Sequence, residues 1–298
     1  MSEAGGPPWP VAIFAHNEER NIAACIDSLD QAARGHPVAI FVLANGCRDA
    51  TARIVRELAA RRGDVRLVEI ALGDKANAWN VYVHDHAPPS QVHFFIDGDV
   101  RADSGALAIL AETLAESDQA NAAGAVPSAG RDRAGIAARM RAGGRISGNL
   151  YALSGAFLAR LRQANMRLPL GFIGEDWLVS ALAKGDYSTR ALTHPSPKLV
   201  LAARATFSFR SLDPHRLRDW SIYAHRLIRY RLREHQFAML FELWANEKRP
   251  MLPESADALY AETPVLPRYR WRGARFTLFD ALAVRSIRRR ARSLGRLR

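Results

Sequence analysis

Four short apolar runs, each followed by a segment of helical spacing, constrain this chain more than any other feature. "VAIFAH" (11–16), "VAIFVLAN" (38–45), "VRLVEIA" (65–71) and "VHFFID" (92–97) read as strands. After the first, Asn17 is expected to cap a helix with Ile22, Ile26, Leu29 and Ala33 on one face. After the second, Asp49 caps a helix with Ile54, Val55 and Leu58 inward. "DKANAWNVYVHDHA" (74–87) reads as a helix stopped by Pro88-Pro89. After the fourth, Asp103 or Ser104 is expected to cap a helix carrying Leu107, Leu110 and Leu114. Strands alternating with helices of this length imply βαβ units, an α/β class and a mostly parallel sheet. Ligands of such sheets bind beyond the C-terminal strand ends, which lines up His16, Asn45 and Asp97 along one edge.

The second half is less regular. "GAVPSAG" (124–130) and "NLYALSGAFLARLR" (149–162) are expected to complete the sheet, and "GFIGEDWLVSALAKGD" (171–186) reads as a loop followed by a helix from near Glu175. Beyond Asp213-Pro214 the pattern turns helical, with Arg226, Arg229, Arg231 and Arg233 interleaved with aromatics. A last helix places Phe276, Phe279, Ala283, Ile287, Ala291 and Leu294 on one face, with arginines over the rest. The expected division is therefore an α/β domain, 1–212, and a helical, Arg-rich region, 213–298. At about 150 residues per domain, the length suits either two domains or one with a helical appendage.

Charge and cysteine content bound the setting. The net charge of +12, concentrated in C-terminal arginines, points to an anionic partner such as a phosphorylated substrate, a membrane surface or nucleic acid. No nucleic-acid-binding module is recognisable, so nucleic acid is not expected. Cys25 falls in register with Ile22, Ile26 and Leu29 and reads as a buried reduced thiol; with Cys47 it forms no metal-ligand spacing. No run reaches the roughly 18 apolar residues of a membrane span, and "MSEAGGPPWP" lacks a signal-peptide layout. A soluble cytoplasmic protein is expected. The basic C-terminal helix reads equally as a solvated face packed on the domain or as a peripheral contact with the inner membrane face.

The chemistry centres on Asp97-Gly98-Asp99. In extended chain, residues two apart project to one side, and the glycine between lets a bulky ligand approach. Two such carboxylates suit a hard divalent cation, Mg2+ or Mn2+, that completes its shell with water and phosphate. A capping turn would also account for the pair. Helix capping likewise accounts for "FAHNEERNI" (14–22), for "VLANGCRDAT" (42–51) and for Glu175-Asp176 when each is read singly.

Taken in order, "FAHNEE", "LANGCRDAT", "GDKANAWN", "DGD" and "GFIGEDW" resemble the ordered motifs of family-2 glycosyltransferases of the GT-A fold, over residues 11 to about 186. The resemblance implies a Rossmann-like sheet and an inverting, metal-assisted transfer from a nucleotide-diphosphate sugar to an acceptor hydroxyl. It implies His16 facing the nucleotide base, Glu18 in the donor-binding turn and Asn45 at the base-reading position. Lys75 would meet ribose or diphosphate, Asp97 ribose or metal, and Asp99 the metal. Asp176 would be the catalytic base, flanked by Glu175 and Trp177 as substrate- or nucleotide-binding residues. A helix N-terminus lowers the basicity of a carboxylate there, an effect that burial beside Trp177 or Glu175 would offset.

Ala44-Asn45 departs from the family's acidic pair and leaves the base open, since an amide both donates and accepts. "RLRDWSIYAHRLIRY" (216–230) lacks the spacing of the processive synthases' motif, so a single transfer is expected. A lipid-linked or membrane-proximal acceptor would suit the basic helix. His194 is an extra candidate metal ligand, although a histidine ending a strand before Pro195 is the preferred reading. A catalytically silent GT-A-like module binding membrane or a protein partner is the alternative of a different class. A nucleotidyltransferase is disfavoured by the absence of a glycine-rich loop after the first strand.

Overall fold

The computed structural model describes residues 6–130, 132–186, 196–209, 217–246, 252–269, 271 and 273–295. His194 lies outside them. The chain separates into two compact units: one comprises Met1–Met166 and Glu175–Arg210, the other Arg167–Gly174 and Ser211–Arg298.

The first unit follows the βαβ order read from the apolar runs. Its elements begin β1 (Trp9–Ala15), α1 (Ile22–Ala32), β2 (Val38–Asn45), α2 (Thr51–Ala59), β3 (Val65–Ile70) and α3 (Lys75–Val81), the last extended by a π-helical turn over Tyr82–His86. They continue with β4 (Val92–Asp97), β5 (Val100–Ala102), α4 (Ala106–Ala115), β6 (Ala122–Pro127), α5 (Arg133–Gly143), β7 (Leu150–Ser154), α6 (Gly155–Gln163), α7 (Glu175–Gly185) and β8 (Leu199–Phe209). Among the described residues the strands form one eight-stranded sheet, ordered β3-β2-β1-β4-β7-β6-β8-β5. β1 to β4 pair in parallel, whereas β7 runs antiparallel to both β4 and β6.

Strand alternation decides what each face carries. Val11, Ile13 and Ala15 of β1, with Phe94 and Ile96 of β4, pack in a core that includes Ile22, Cys25, Ile26 and Leu29 of α1. The intervening residues form an aromatic layer on the other face. Phe95 stacks on Tyr151 with centroids 4.8 Å apart, and Tyr82 meets its edge at 5.5 Å. The polar atoms of this layer are paired: Trp79 Nε1 donates to Tyr151 Oη at 3.1 Å, and Tyr82 Oη lies 3.0 Å from His93 Nδ1. Asp97 continues the His93–Phe95 series, so the aromatic layer forms the floor beneath it.

Burial holds the His93 pKa down at about 4, with Arg162 adding a smaller repulsion. Between that value and the ordinary 6.5, the unfolded chain binds a proton that the folded chain refuses, so stability rises with pH across this window. The linkage is worth about 3 kcal/mol at 1.36 kcal/mol per unit. Urea unfolding is expected to show that loss as pH falls from about 6.5 to about 4, and His93→Gln to flatten this part of the profile.

Several expected caps fall elsewhere. α1 starts at Ile22 behind Asn21, not at Asn17, which instead adopts φ 58° in a left-handed turn. α4 starts behind Gly105 at φ 74°, and Asp103 instead accepts a hydrogen bond from Thr206 Oγ1 at 2.6 Å. Cβ-free Gly105 tolerates that φ, which Asp103 or Ser104 at the cap would not require.

The second unit holds α8 (Leu217–Asn246), α9 (Ala256–Glu262) and α10 (Ala274–Ser293). The segment 167–174 is tied into it: Leu170 N donates to Glu254 O at 3.0 Å and Ile173 N to Gln236 Oε1 at 2.8 Å. On α10, Ala283, Val284, Ile287 and Ala291 are buried, while Leu294 follows the helix end and is 43 % exposed. The side chain of Phe276 lies outside the described residues. No helix among the described residues is long and apolar enough to cross a membrane.

Candidate active site

The parallel register brings the ends of β1, β2 and β4 level, with Phe14 opposite Asp97 and Ala15 opposite Ala44. The sheet order places β2 on one side of β1 and β4 on the other, and such a switch point opens a crevice at the C-terminal ends. Gly98 N donates to Phe14 O at 2.9 Å, and a Cβ at Gly98 would lie 3.2 Å from that carbonyl. The glycine lets the turn carrying Asp99 fold tightly against β1.

Lys75, at the first position of α3, reaches across this crevice. Its Nζ lies 2.5 Å from Asp97 Oδ1 and 2.7 Å from Glu175 Oε1, and 5.6 Å from the centre of the Phe14 ring. Asp74 caps the helix by accepting from Asn77 N at 3.0 Å, which fixes where Lys75 begins. One ammonium therefore joins the end of β4 to the start of α7. Burial pushes the Asp97 pKa up to about 7; Lys75 opposes the rise, and the Asp99 and Glu175 charges add to it. The Lys75 pKa is held well above its ordinary value by the attraction of Asp97 and Glu175, which outweighs the opposing effect of burial.

Asp176 is oriented by backbone. Gly148 N donates to its Oδ2 at 3.2 Å and Trp177 N to its Oδ1 at 2.9 Å. Ser180 Oγ donates to the Asp176 carbonyl and receives Ile146 N, fixing the segment before β7 to the first turn of α7. The Arg145 guanidinium lies over the Trp177 ring at 4.1 Å. Gly148 sits between the key groups. A Cβ there would stand 3.1 Å from Lys75 Nζ, 3.2 Å from Glu175 Oε1 and 3.3 Å from Asp176 Cβ. Gly148→Ala is expected to displace these groups by a few tenths of an ångström and lower turnover about tenfold, with thermal stability nearly unchanged. Steady-state kinetics beside a melting curve measure both. In the sequence, the polar "GRISGN" before β7 is the local signal for Arg145 and Gly148, and Ser180 sits within an apolar helical run without one.

The other two loops are laced together. Glu18 N donates to Thr51 Oγ1 at 2.7 Å, Glu19 N to Asp49 Oδ2 at 3.0 Å, and Arg48 N to Asn17 Oδ1 at 2.8 Å. The Glu18 carboxyl accepts from Asn21 Nδ2 at 2.8 Å; burial raises its pKa, which Asn21 opposes and the Asp99 charge reinforces. The exposed His16 ring is fixed through Nδ1 to Asn45 O at 2.6 Å and lies over Gly73, where a Cβ would stand 3.1 Å from Cε1. Asn45 is 4 % exposed, and its amide nitrogen donates to Ala15 O at 2.9 Å and Leu43 O at 3.3 Å. That nitrogen is thus spent on the strand ends.

Asp97, Asp99, Glu18, Glu175 and Asp176 are hard oxygen donors, and the chemistry of such a set fits a hard divalent cation. Among the described residues no three His, Cys, Asp or Glu side chains converge at metal-ligand spacing.

The chain belongs to the family described as "Glycosyltransferase like family 2", whose model matches residues 7–180. A mannosyltransferase from Pyrobaculum calidifontis, solved with GDP-Man and Mn2+, is similar in fold at 18 % identity and a TM-score of 0.56, over 97 % of this chain and 78 % of its own. A mycobacterial protein is similar at 19 % identity and a TM-score of 0.50, over 75 % of each chain. No curated protein matches the chain.

Proposed function

We propose that this family-2 glycosyltransferase moves one sugar from a nucleotide-diphosphate donor to an acceptor hydroxyl with inversion, assisted by Mg2+ or Mn2+. The observation that carries the reading is the Lys75 bridge, which sets Asp97-Gly98-Asp99 and Glu175-Asp176 around one crevice. Asp99, with Asp97, would hold the cation, which when bound supplies Lewis-acid stabilisation of the departing diphosphate. The exposed, doubly fixed His16 ring offers a face for the nucleotide base. Asn45 stiffens the edge through Ala15 rather than presenting its amide nitrogen to the base. Asp176 takes the proton of the attacking hydroxyl, held by the Gly148 and Trp177 N–H groups so that one carboxylate geometry is kept as the proton arrives. Lys75 keeps Glu175 and Asp97 from repelling each other and so positions the first turn of α7.

A thermal-shift panel of nucleoside diphosphates with and without Mn2+ tests this, GDP included because of the mannosyltransferase similar in fold. Binding to the folded state raises the melting temperature. One base is expected to give the largest shift, only with the cation, and Asp99→Asn to remove it. No response to any nucleotide would favour a silent module instead.

A further inference from the structure

We propose that the exposed face of α10 binds the phosphate headgroups of an anionic membrane surface. Arg285, Arg288, Arg289 and Arg292, with Tyr269, line an open cavity of about 350 Å³. Positions i, i+3, i+4 and i+7 put the four guanidinium groups on one side of the helix, opposite the buried Ala283, Ile287 and Ala291. Among the described residues no carboxylate lies within ion-pair reach of any of the four. The contrast is Arg290, one position away, whose Nε donates to Asp257 Oδ1 at 2.7 Å. Four guanidinium groups around one hollow repel one another, and a phosphate that accepts bidentate hydrogen bonds from such forks relieves this.

The surroundings choose the source of that phosphate. One and two turns before Arg285 on the same stripe, Leu282 and Leu278 are 38 % and 62 % exposed. Trp271, just before the helix, is 77 % exposed and Tyr269 58 %. Leucines beside a basic cluster, with Trp and Tyr at its edge, match the layered chemistry of a bilayer interface: acyl boundary, then phosphate. A nucleic acid duplex would satisfy the arginines and leave the leucines in water. The proposal is independent of the transfer reaction, since none of these residues belongs to the candidate active site.

Co-sedimentation of the full chain with vesicles tests it. Phosphatidylcholine vesicles containing phosphatidylglycerol are expected to bind the chain, and phosphatidylcholine alone to bind it far less. Arg285→Gln with Arg289→Gln is expected to lower partitioning roughly 30-fold, at about 1 kcal/mol per arginine. Both positions are exposed, so folding is preserved and circular dichroism checks it. Leu278→Ser is expected to weaken the binding that persists in high salt, where charge attraction is screened. Equal binding to both vesicle types, no effect of the double variant, full displacement by inorganic phosphate, or tighter binding to duplex RNA than to the anionic vesicles would each overturn the proposal. The nucleotide-dependent thermal shift of the double variant is expected to match that of the unaltered chain, which separates failure here from failure of the transferase reading.

Discussion

Asp176→Asn is expected to lower the rate of sugar transfer about 10³-fold while leaving nucleoside diphosphate binding intact. The amide is the same size as the carboxylate but cannot take the acceptor's proton. It also forces one amide nitrogen toward a backbone N–H, from Gly148 or Trp177, that now donates to carboxylate oxygen. The stability cost is about one lost hydrogen bond, on the order of 1 kcal/mol, which a melting curve will separate from the kinetic effect. Calorimetric titration with the nucleotide tests the donor half of the site independently. A variant with unaltered turnover would remove Asp176 from the reaction.

Lys75→Met should cost about 3 kcal/mol near pH 8, because removing one partner of a largely buried ion pair leaves the others uncompensated. Lys75, Asp97 and Glu175 are 25 %, 25 % and 12 % exposed, so water screens them little. The methionine matches the lysine stem in length, which confines the change to charge. The pH dependence follows from Asp97. Its folded pKa, already raised to about 7 with the ammonium present, rises further without it. A carboxyl whose folded pKa exceeds its unfolded value binds the extra proton in the folded state, so stability falls as pH rises. The loss is therefore expected to shrink near pH 5.5 and to be largest near pH 8, and urea unfolding at both pH values measures it. Equal midpoints for the variant and the unaltered chain at both would mean that the bridge contributes nothing net. Lys75→Arg keeps the charge and is expected to retain most of the stability.

What the sequence disclosed was set by range. The strands β1 to β4 stood out because each is a short, locally apolar run, and the start of α7 at Glu175 because acidic residues and an apolar helical face follow one another directly. The GT-A architecture followed from motif order along the chain. The antiparallel insertion of β7 between β4 and β6 was not legible, because strand direction depends on pairing partners far apart in sequence. The Lys75 bridge was hidden for the same reason: three segments must meet before its partners exist. Asn17 misled because an amide before a helix normally caps it, whereas here a left-handed backbone turns its carbonyl oxygen to Arg48 N. Gly148 is a case where the absence of a side chain does the positioning, which a residue-by-residue search for reactive groups passes over.

The reversal of β7 also bears on the order in which the site comes into being. Lys75 and Asp97 stand at the two ends of one crossover, from the start of α3 to the end of β4, and can meet as soon as β1 to β4 assemble. Lys75 and Glu175 stand 100 positions apart, and their meeting waits for β7 to slot in beside β4 with Leu150 opposite Ile96. Contacts of that span close late, since the chain entropy of the intervening loop must be given up first. During synthesis the half that would grip a nucleotide is therefore in place well before the half that would activate an acceptor.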